Sequence, residues 1–174
     1  ALFALMKLEG YKVELVTEHA KDLTYSESFK ELNDQLKVFG EQNHRMNRLV
    51  GHVDYIVTDS PLMNSLVYGN EDSPHFKGLV MEKHCEYDNF NVFINRIKEY
   101  AAYGRTQTAE DSDMLGEKIL SILAAYNQDY IPIDGGADAA AHILQAFKNS
   151  QQTNVPILKT PLTSSAKVKF KWHP

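Results

Sequence analysis

Apolar residues follow two periods along the chain, one typical of strands and one typical of helices. Short β-rich segments predict four strands, at residues 11–16, 53–58, 91–94 and 130–133. Helical spacing predicts helices at about residues 1–8, from Ser26 or Ser28 to 39, 41–49, 62–68, 74–85, 108–126 and 137–147. Alternation of helices and strands predicts a three-layer α/β domain with a parallel sheet.

The chain of 174 residues is long enough for one domain, which we place at residues 1–149. From residue 150 the composition shifts to Ser, Thr, Gln and Pro, which indicates a C-terminal tail, residues 150–174. In this tail, residues 167–172 alternate lysine with Val168, Phe170 and Trp172. The alternation favours a lysine-guarded edge strand, and a contact with nucleic acid or a partner is the alternative.

Composition argues against three classes of protein: nucleic-acid-binding, disulfide-linked and membrane-spanning proteins. A net charge of -5 makes nucleic-acid binding by the whole surface unlikely, because such binding needs a basic field. The single cysteine, Cys85, cannot form an internal disulfide, and without a Cys–His signature we expect a buried or half-buried thiol. No apolar run approaches the roughly 18 residues that span a bilayer. We therefore expect a cytoplasmic protein with no membrane partner.

Polar residues follow each predicted strand, where ligands bind in an open parallel sheet. They are Glu18, Asp59, Arg96 and the run Asp134, Gly135 and Gly136. An apolar strand that ends in an aspartate is typical of a carboxylate beside Mg²⁺ in nucleotide-binding folds. Asp59 is therefore the candidate metal residue, and the alternative is that it caps the turn at Ser60.

The remaining candidates are an acid and several basic groups. Glu18 is interpreted as a catalytic base, a contact to a substrate hydroxyl, or a plain surface carboxylate. The polar segment at residues 95–108 contains Arg96 and Arg105 and is either a basic lid over an active site or a solvated loop. Arg45 and Arg48, which follow Gln42 on a predicted helix, are either contacts for a substrate phosphate or ring, or helix-surface residues. No histidine has metal spacing, and His19, next to Glu18, is the only histidine that we consider as a site residue.

Four segments together resemble a known family: VELVTEHAKDL, EQNHRMNRLVGHVDYIVTDSPL, EYDNFNVFINRIKEYAAYGRTQT and YIPIDGGADAAAHIL. They resemble the AAA-type ATP-binding proteins common in bacteriophage genomes, which are similar to the kinase domain of bifunctional nicotinamide-riboside proteins and, more distantly, to nucleoside and nucleotide kinases. The resemblance covers residues 1–147 and implies a P-loop kinase fold with ATP and Mg²⁺ as cofactors.

The resemblance also implies roles for the candidate residues. Asp59 would be the metal-associated carboxylate and Glu18 a substrate-site acid. Arg45, with Gln42 one turn before it, would contact the substrate. Arg96 and Arg105 would be arginines of a lid over the active site. Asp134, Gly135 and Gly136 would lie near the nucleotide base.

The family's phosphate-binding loop, G-x-x-x-x-G-K-S/T, does not occur in this sequence. The predicted helix at residues 1–8 also lacks a capping residue, so we expect the first strand and the loop to precede Ala1. Three hypotheses follow: an ATP-dependent phosphotransferase acting on a small-molecule phosphate acceptor, a non-catalytic relative that binds a partner chain, or a nucleic-acid module led by the tail. Under the first hypothesis we expect the chain as given to be inactive.

Overall fold

A computed structural model describes residues 1–68, 73–97 and 109–152, in which helices and short strands alternate. The strands are β1 Val13–Val16, β2 Tyr55–Thr58, β3 Val92–Asn95 and β4 Ile131–Asp134. The helices are α1 Leu2–Leu8, α2 His19–Tyr25, α3 Phe29–Leu32, α4 Gln35–Asn47, α5 Ser65–Tyr68, α6 Pro74–His84, α7 Ala109–Ala125 and α8 Ala139–Gln152, with a 3₁₀ turn at Leu62–Asn64.

The strands form two parallel pairs. β1 pairs with β2 from Val13 opposite Tyr55 to Val16 opposite Thr58. β3 pairs with β4 in the same way, and the last positions of this pair are Asn95 and Asp134. Parallel strands joined through helices confirm the predicted α/β class. Within the described residues no strand ladder joins the two pairs, so the predicted four-stranded sheet is present only as two separate halves.

An aromatic cluster holds the two halves together. The ring of Phe147 on α8 packs edge-on against Tyr55, Phe90 and Tyr11, with centroid distances of 5.3, 5.5 and 6.1 Å. These three partners lie at or just before the amino ends of β2, β3 and β1. The amino ends of both pairs therefore meet at one ring, and the carboxyl ends of both pairs point away from it.

The core lies on both faces of β1. Val16 is buried in a cluster with Phe39, Met46, Leu62, Phe76 and Val80 from the side of α4 and α6. Val13 is buried on the other side with Met6 of α1 and Leu144 of α8. Residues three apart in a strand point to opposite faces, so β1 is sandwiched between two helical layers. In this part of the molecule, helices cover both faces of a two-stranded parallel sheet.

The helices between β1 and β2 differ from the sequence prediction. We expected one helix from Ser26 or Ser28 to about residue 39 and another at residues 41–49. The structure instead has α2, which the sequence did not predict, and an uninterrupted α4. Asp34 sets the start of α4, because its Oδ1 accepts a hydrogen bond from the Lys37 amide at 3.1 Å. Glu27, at a positive φ of 54°, separates α2 from α3.

Elsewhere in the described ranges the predicted elements are present with shifts of up to five residues, and the edge strand predicted at residues 167–172 lies outside the described residues. α6 begins where the Ser73–Pro74 signal predicts, and the Ser73 hydroxyl accepts the Phe76 amide at 3.5 Å. The predicted burial of Cys85 is wrong. Cys85 is the C-cap residue of α6 and is exposed, whereas the preceding residue, His84, is buried. None of the helices in the described ranges has the length and apolar character needed to cross a membrane.

Candidate functional site

Asp59 follows β2 directly and points its carboxylate into solvent. The turn after β2 is capped by the Thr58 hydroxyl, which accepts the Ser60 amide at 3.1 Å. Asp59 therefore does not serve as the cap that the alternative interpretation required. In the parts of the chain that the structure describes, its exposed side chain has no hydrogen bond or ion pair. A carboxylate in this position is available to a cation.

Glu18 lies at the same end of the first strand pair as Asp59. The register places Val16 opposite Thr58, so the chains leave β1 and β2 at neighbouring positions. Glu18 is half-buried and stands immediately before α2, at the helix N-cap position. The first strand pair thus presents two acidic residues at its carboxyl end, as the sequence predicted.

The second strand pair ends in a polar cleft of about 490 Å³. Asn95 Nδ2 donates to Asp134 Oδ1 at 3.0 Å and ties the ends of β3 and β4 together. β4 ends one position later than predicted, so Asp134 is the last residue of the strand and not the first residue after it. The cleft is lined by Asn95, Ile97, Pro132, Ile133, Asp134, Gly136, Asp138 and His142.

The two glycines after β4 leave little room for a side chain, and the limit is firmer at Gly135, whose nearest neighbour is backbone. A Cβ on Gly135 would lie 3.0 Å from the Asn95 carbonyl oxygen, and one on Gly136 would lie 2.8 Å from Asp138 Oδ1. The Gly135 amide donates to the Asn95 carbonyl at 2.8 Å, which extends the β3–β4 ladder by one bond. Glycine at both positions lets the backbone form the wall of the cleft.

Hydrogen-bond acceptors dominate the cleft. Asp134 and Asp138 contribute carboxylates, and His142 Nε2 lies 3.4 Å from Asp138 Oδ2. In the described ranges no three acidic, histidine or cysteine residues are arranged to hold a metal ion. The cleft therefore suits a ligand group that donates hydrogen bonds, such as an amine, better than it suits a phosphate.

Arg45 on α4 is held by two carboxylates. Its guanidinium contacts Asp22 Oδ2 at 2.8 Å and Glu41 Oε1 at 3.3 Å, and its side chain is only 21% exposed. Two negative charges already surround this one positive charge. This arrangement disfavours Arg45 as a contact for a substrate phosphate, one of the roles that the sequence allowed.

His19 and Gln42 extend this group toward β1. The His19 backbone amide donates to Gln42 Oε1 at 3.0 Å, and the Arg45 guanidinium lies 3.0 Å from His19 Nδ1. Burial, and next the nearby Arg45 charge, lower the pKa of His19. Gln42 is 4% exposed. Gln42 Nε2 and His19 Nε2 are buried and have no hydrogen-bond partner within residues 1–68, 73–97 and 109–152, and an unsatisfied buried group of this kind costs about 1–3 kcal/mol.

Of the two arginines in the predicted lid, only Arg96 lies among the described residues. Arg105 and residues 98–108 lie outside the described residues. Arg96 follows β3 and pairs with Asp113 on α7. Sequence reasoning missed Asp113 and Asp22 because both lie far from their arginines in sequence. The spacing of Glu41 and Arg45, four residues apart on a helix, was a signal for an ion pair that the sequence did contain.

No family model, curated protein or solved structure matches this chain.

Proposed function

We propose that this chain is part of an ATP-dependent phosphotransferase that acts on a small molecule such as a nucleoside, a nucleotide or nicotinamide riboside. The observation that carries the proposal is the exposed carboxylate of Asp59 at the carboxyl end of a parallel strand, which has no partner among the described residues. Glu18 lies at the neighbouring strand end, where a substrate hydroxyl can reach it. In open α/β sheets this edge is where ligands bind.

Asp59 fits Mg²⁺. Magnesium keeps several water ligands and is commonly held by one or two carboxylates together with substrate phosphates, so it does not need a larger protein cluster. Asp59 would hold the ion directly or through water. Mg²⁺ bound there with ATP would neutralise negative charge on the phosphate oxygens.

Two of the described candidate arginines do not offer free charges to the phosphates of ATP. Arg45 and Arg96 are both paired with carboxylates, and the printed sequence contains no G-x-x-x-x-G-K-S/T loop. The proposal therefore assigns the acceptor side and the metal carboxylate to this chain. It assigns the phosphate cradle to residues other than those described.

The finer fold proposal is a single parallel sheet in which one further strand lies between β2 and β3. Two observations support it. All four residues of β2, Tyr55–Thr58, are only half-buried. The amino ends of both strand pairs also meet at Phe147, although no ladder joins the pairs within the described residues. An added strand that pairs with both edges would complete the ladder and cover β2.

The test compares two purified proteins, the chain as printed and the same chain extended at Ala1 by a strand and a phosphate-binding loop. With Mg²⁺, ATP and a panel of nucleosides, nucleotides and nicotinamide riboside, we expect the printed chain to be inactive. The extended chain should transfer phosphate at roughly 1–100 s⁻¹, the ordinary range for kinases. Transfer at such rates by the printed chain, or none by the extended chain, would contradict the proposal.

The Asp59→Asn variant of the extended chain tests the metal role. We expect kcat to fall on the order of 100-fold with a smaller change in nucleotide affinity, because the lost charge acts mainly on the transition state. Asp54→Asn is the matched control, since Asp54 is an exposed aspartate before the amino end of the same strand. Equal turnover in the two variants would remove Asp59 from the site.

The unjoined strand pairs also favour a second candidate function, a non-catalytic protein that binds a partner strand. An extended peptide can add to an exposed sheet edge through main-chain hydrogen bonds. In that case the extended chain would bind no ATP. Hydrogen exchange of the β2 and β3 amides would slow only when a partner is added, which separates this function from the first.

A further inference from the structure

The first turn of α2 is capped from another helix. Glu18 occupies the N-cap position, but its side chain makes no capping hydrogen bond to α2. The acceptor comes instead from Gln42 on α4, whose Oε1 lies 3.0 Å from the His19 backbone nitrogen. The amides in the first turn of a helix have no partner within that helix, and this contact satisfies one of them. Gln42 therefore takes over a role that the N-cap side chain usually has.

Arg45, about one turn further along α4, holds the same part of α2 at two more points. Its guanidinium lies 3.0 Å from His19 Nδ1 and 2.8 Å from Asp22 Oδ2. The residue after Glu18 is thus held by α4 through both its backbone and its ring. Since α2 has only seven residues, it is too short to be stable without tertiary contacts of this kind. The position of its first turn is therefore set by α4.

Burial separates these two side chains from a substrate. Gln42 is 4% exposed, and the side chain of Arg45 is 21% exposed. Side chains this buried act through the groups they hold, and both hold the residue next to Glu18. We infer that Gln42 and Arg45 are positioning residues for Glu18, an inference that rests on the function proposed above. This role replaces the substrate contact that the family resemblance implies for both.

The contact from Gln42 affects Glu18 in two ways. Because Gln42 supplies the acceptor, the Glu18 carboxylate is not used as the cap of α2, where the helix dipole would attract it. The backbone of Glu18, with φ -66° and ψ 121°, is also fixed because the next residue is held. A displacement of about 1 Å at a reacting group can lower a rate about 100-fold. Loss of the Gln42 oxygen should let the Glu18 carboxylate turn toward α2.

NMR of the printed chain tests the contact without any phosphate transfer. The His19 and Ala20 amides lie in the same first turn of α2, and the contact from Gln42 reaches His19. In the unchanged chain the His19 amide should therefore exchange its hydrogen about tenfold more slowly than the Ala20 amide.

Three variants of the printed chain test the effect on Glu18. Gln42→Met removes the acceptor at similar volume, so it should speed exchange of the His19 amide about tenfold and shift the ¹³C signal of the Glu18 carboxyl group. Gln42→Glu keeps an acceptor oxygen and should preserve both signals. Met46→Ala is the matched control, because Met46 is 6% exposed on the same helix but packs in the cluster around Val16. It should leave the Glu18 signal in place.

Kinetics of the extended chain test whether the contact matters for transfer. Gln42→Met should lower kcat about tenfold or more and change the KM for ATP less than about twofold, because Glu18 acts on the phosphate acceptor. In a Glu18→Gln background the same change should lower kcat less than about twofold, since the group that Gln42 positions is gone. Gln42→Glu should retain most of the activity.

Three results would overturn the inference. The His19 and Ala20 amides exchange at equal rates in the unchanged chain, Met46→Ala shifts the Glu18 signal as much as Gln42→Met does, or Gln42→Met lowers kcat equally with and without Glu18. The first measurement needs no variant, so it decides the matter even where Gln42→Met does not fold. An extended chain that transfers no phosphate, with the NMR results as expected, would contradict the proposed function and support the hold of Gln42 on Glu18.

Discussion

Phe147 is the side chain whose loss should most directly separate the two strand pairs. It packs edge-on against three rings at 5.3–6.1 Å, and such pairs contribute about 0.5–1.5 kcal/mol each beyond burial. Phenylalanine-to-alanine changes in protein cores cost about 3–5 kcal/mol. Phe147 is only partly buried, so we expect Phe147→Ala to lower the free energy of unfolding by about 3 kcal/mol, the lower end of that range.

Urea denaturation followed by circular dichroism measures this change. A loss of about 3 kcal/mol is a large part of the roughly 5–15 kcal/mol stability of a domain. Phe147→Leu keeps apolar volume and loses the ring contacts, so its effect should be intermediate. Phe29→Ala on α3 is the matched control, because Phe29 is 49% exposed. If Phe147→Ala costs no more than Phe29→Ala, the aromatic cluster does not hold the two pairs together.

Two further predictions concern the pH dependence of stability and the start of α4. His84 is 2% exposed and burial lowers its pKa below 6.5, so the folded state binds fewer protons than the unfolded state. The free energy of unfolding should therefore fall as the pH drops below about 6.5, and urea titrations from pH 7.5 to 5 should show a shallower fall in His84→Leu. Asp34→Ala should cost about 1 kcal/mol in the same assay, because the Lys37 amide loses its cap; a loss near zero would show that the cap contributes nothing.

The strands were predictable because their signals are local. Each has a short β-rich run, and each was found within two residues of its prediction. The helices between β1 and β2 were not predictable in the same way. Asp34, Ser26 and Ser28 are all suitable N-cap residues, so the sequence alone does not show where the helix begins. Packing decides the matter, because Phe39 and Met46 lie in the same buried cluster and a continuous α4 places both of them there.

The candidate site was predictable where the sheet's own geometry brings residues together. Glu18 and Asp59 each follow a strand, and parallel pairing places both at the same end of the first strand pair. The partners of Arg45 and Arg96 were not predictable, because Asp22 and Asp113 lie 23 and 17 residues away along the chain. Nor does the sequence show that Gln42 and His19 each keep a donor without an acceptor, since that depends on how α2 and α4 pack.

The two arginines at the carboxyl edge differ in how readily they can change partners. Arg45 is held by two carboxylates and contacts His19, and its side chain is 21% exposed. Its removal from this group would leave charges unpaired in a partly buried place. The pair between Arg96 and Asp113 lies nearer the surface, where Asp113 is 72% exposed and such pairs contribute about 0–1 kcal/mol. A phosphate can therefore compete with Asp113 for Arg96 far more easily than with the carboxylates around Arg45.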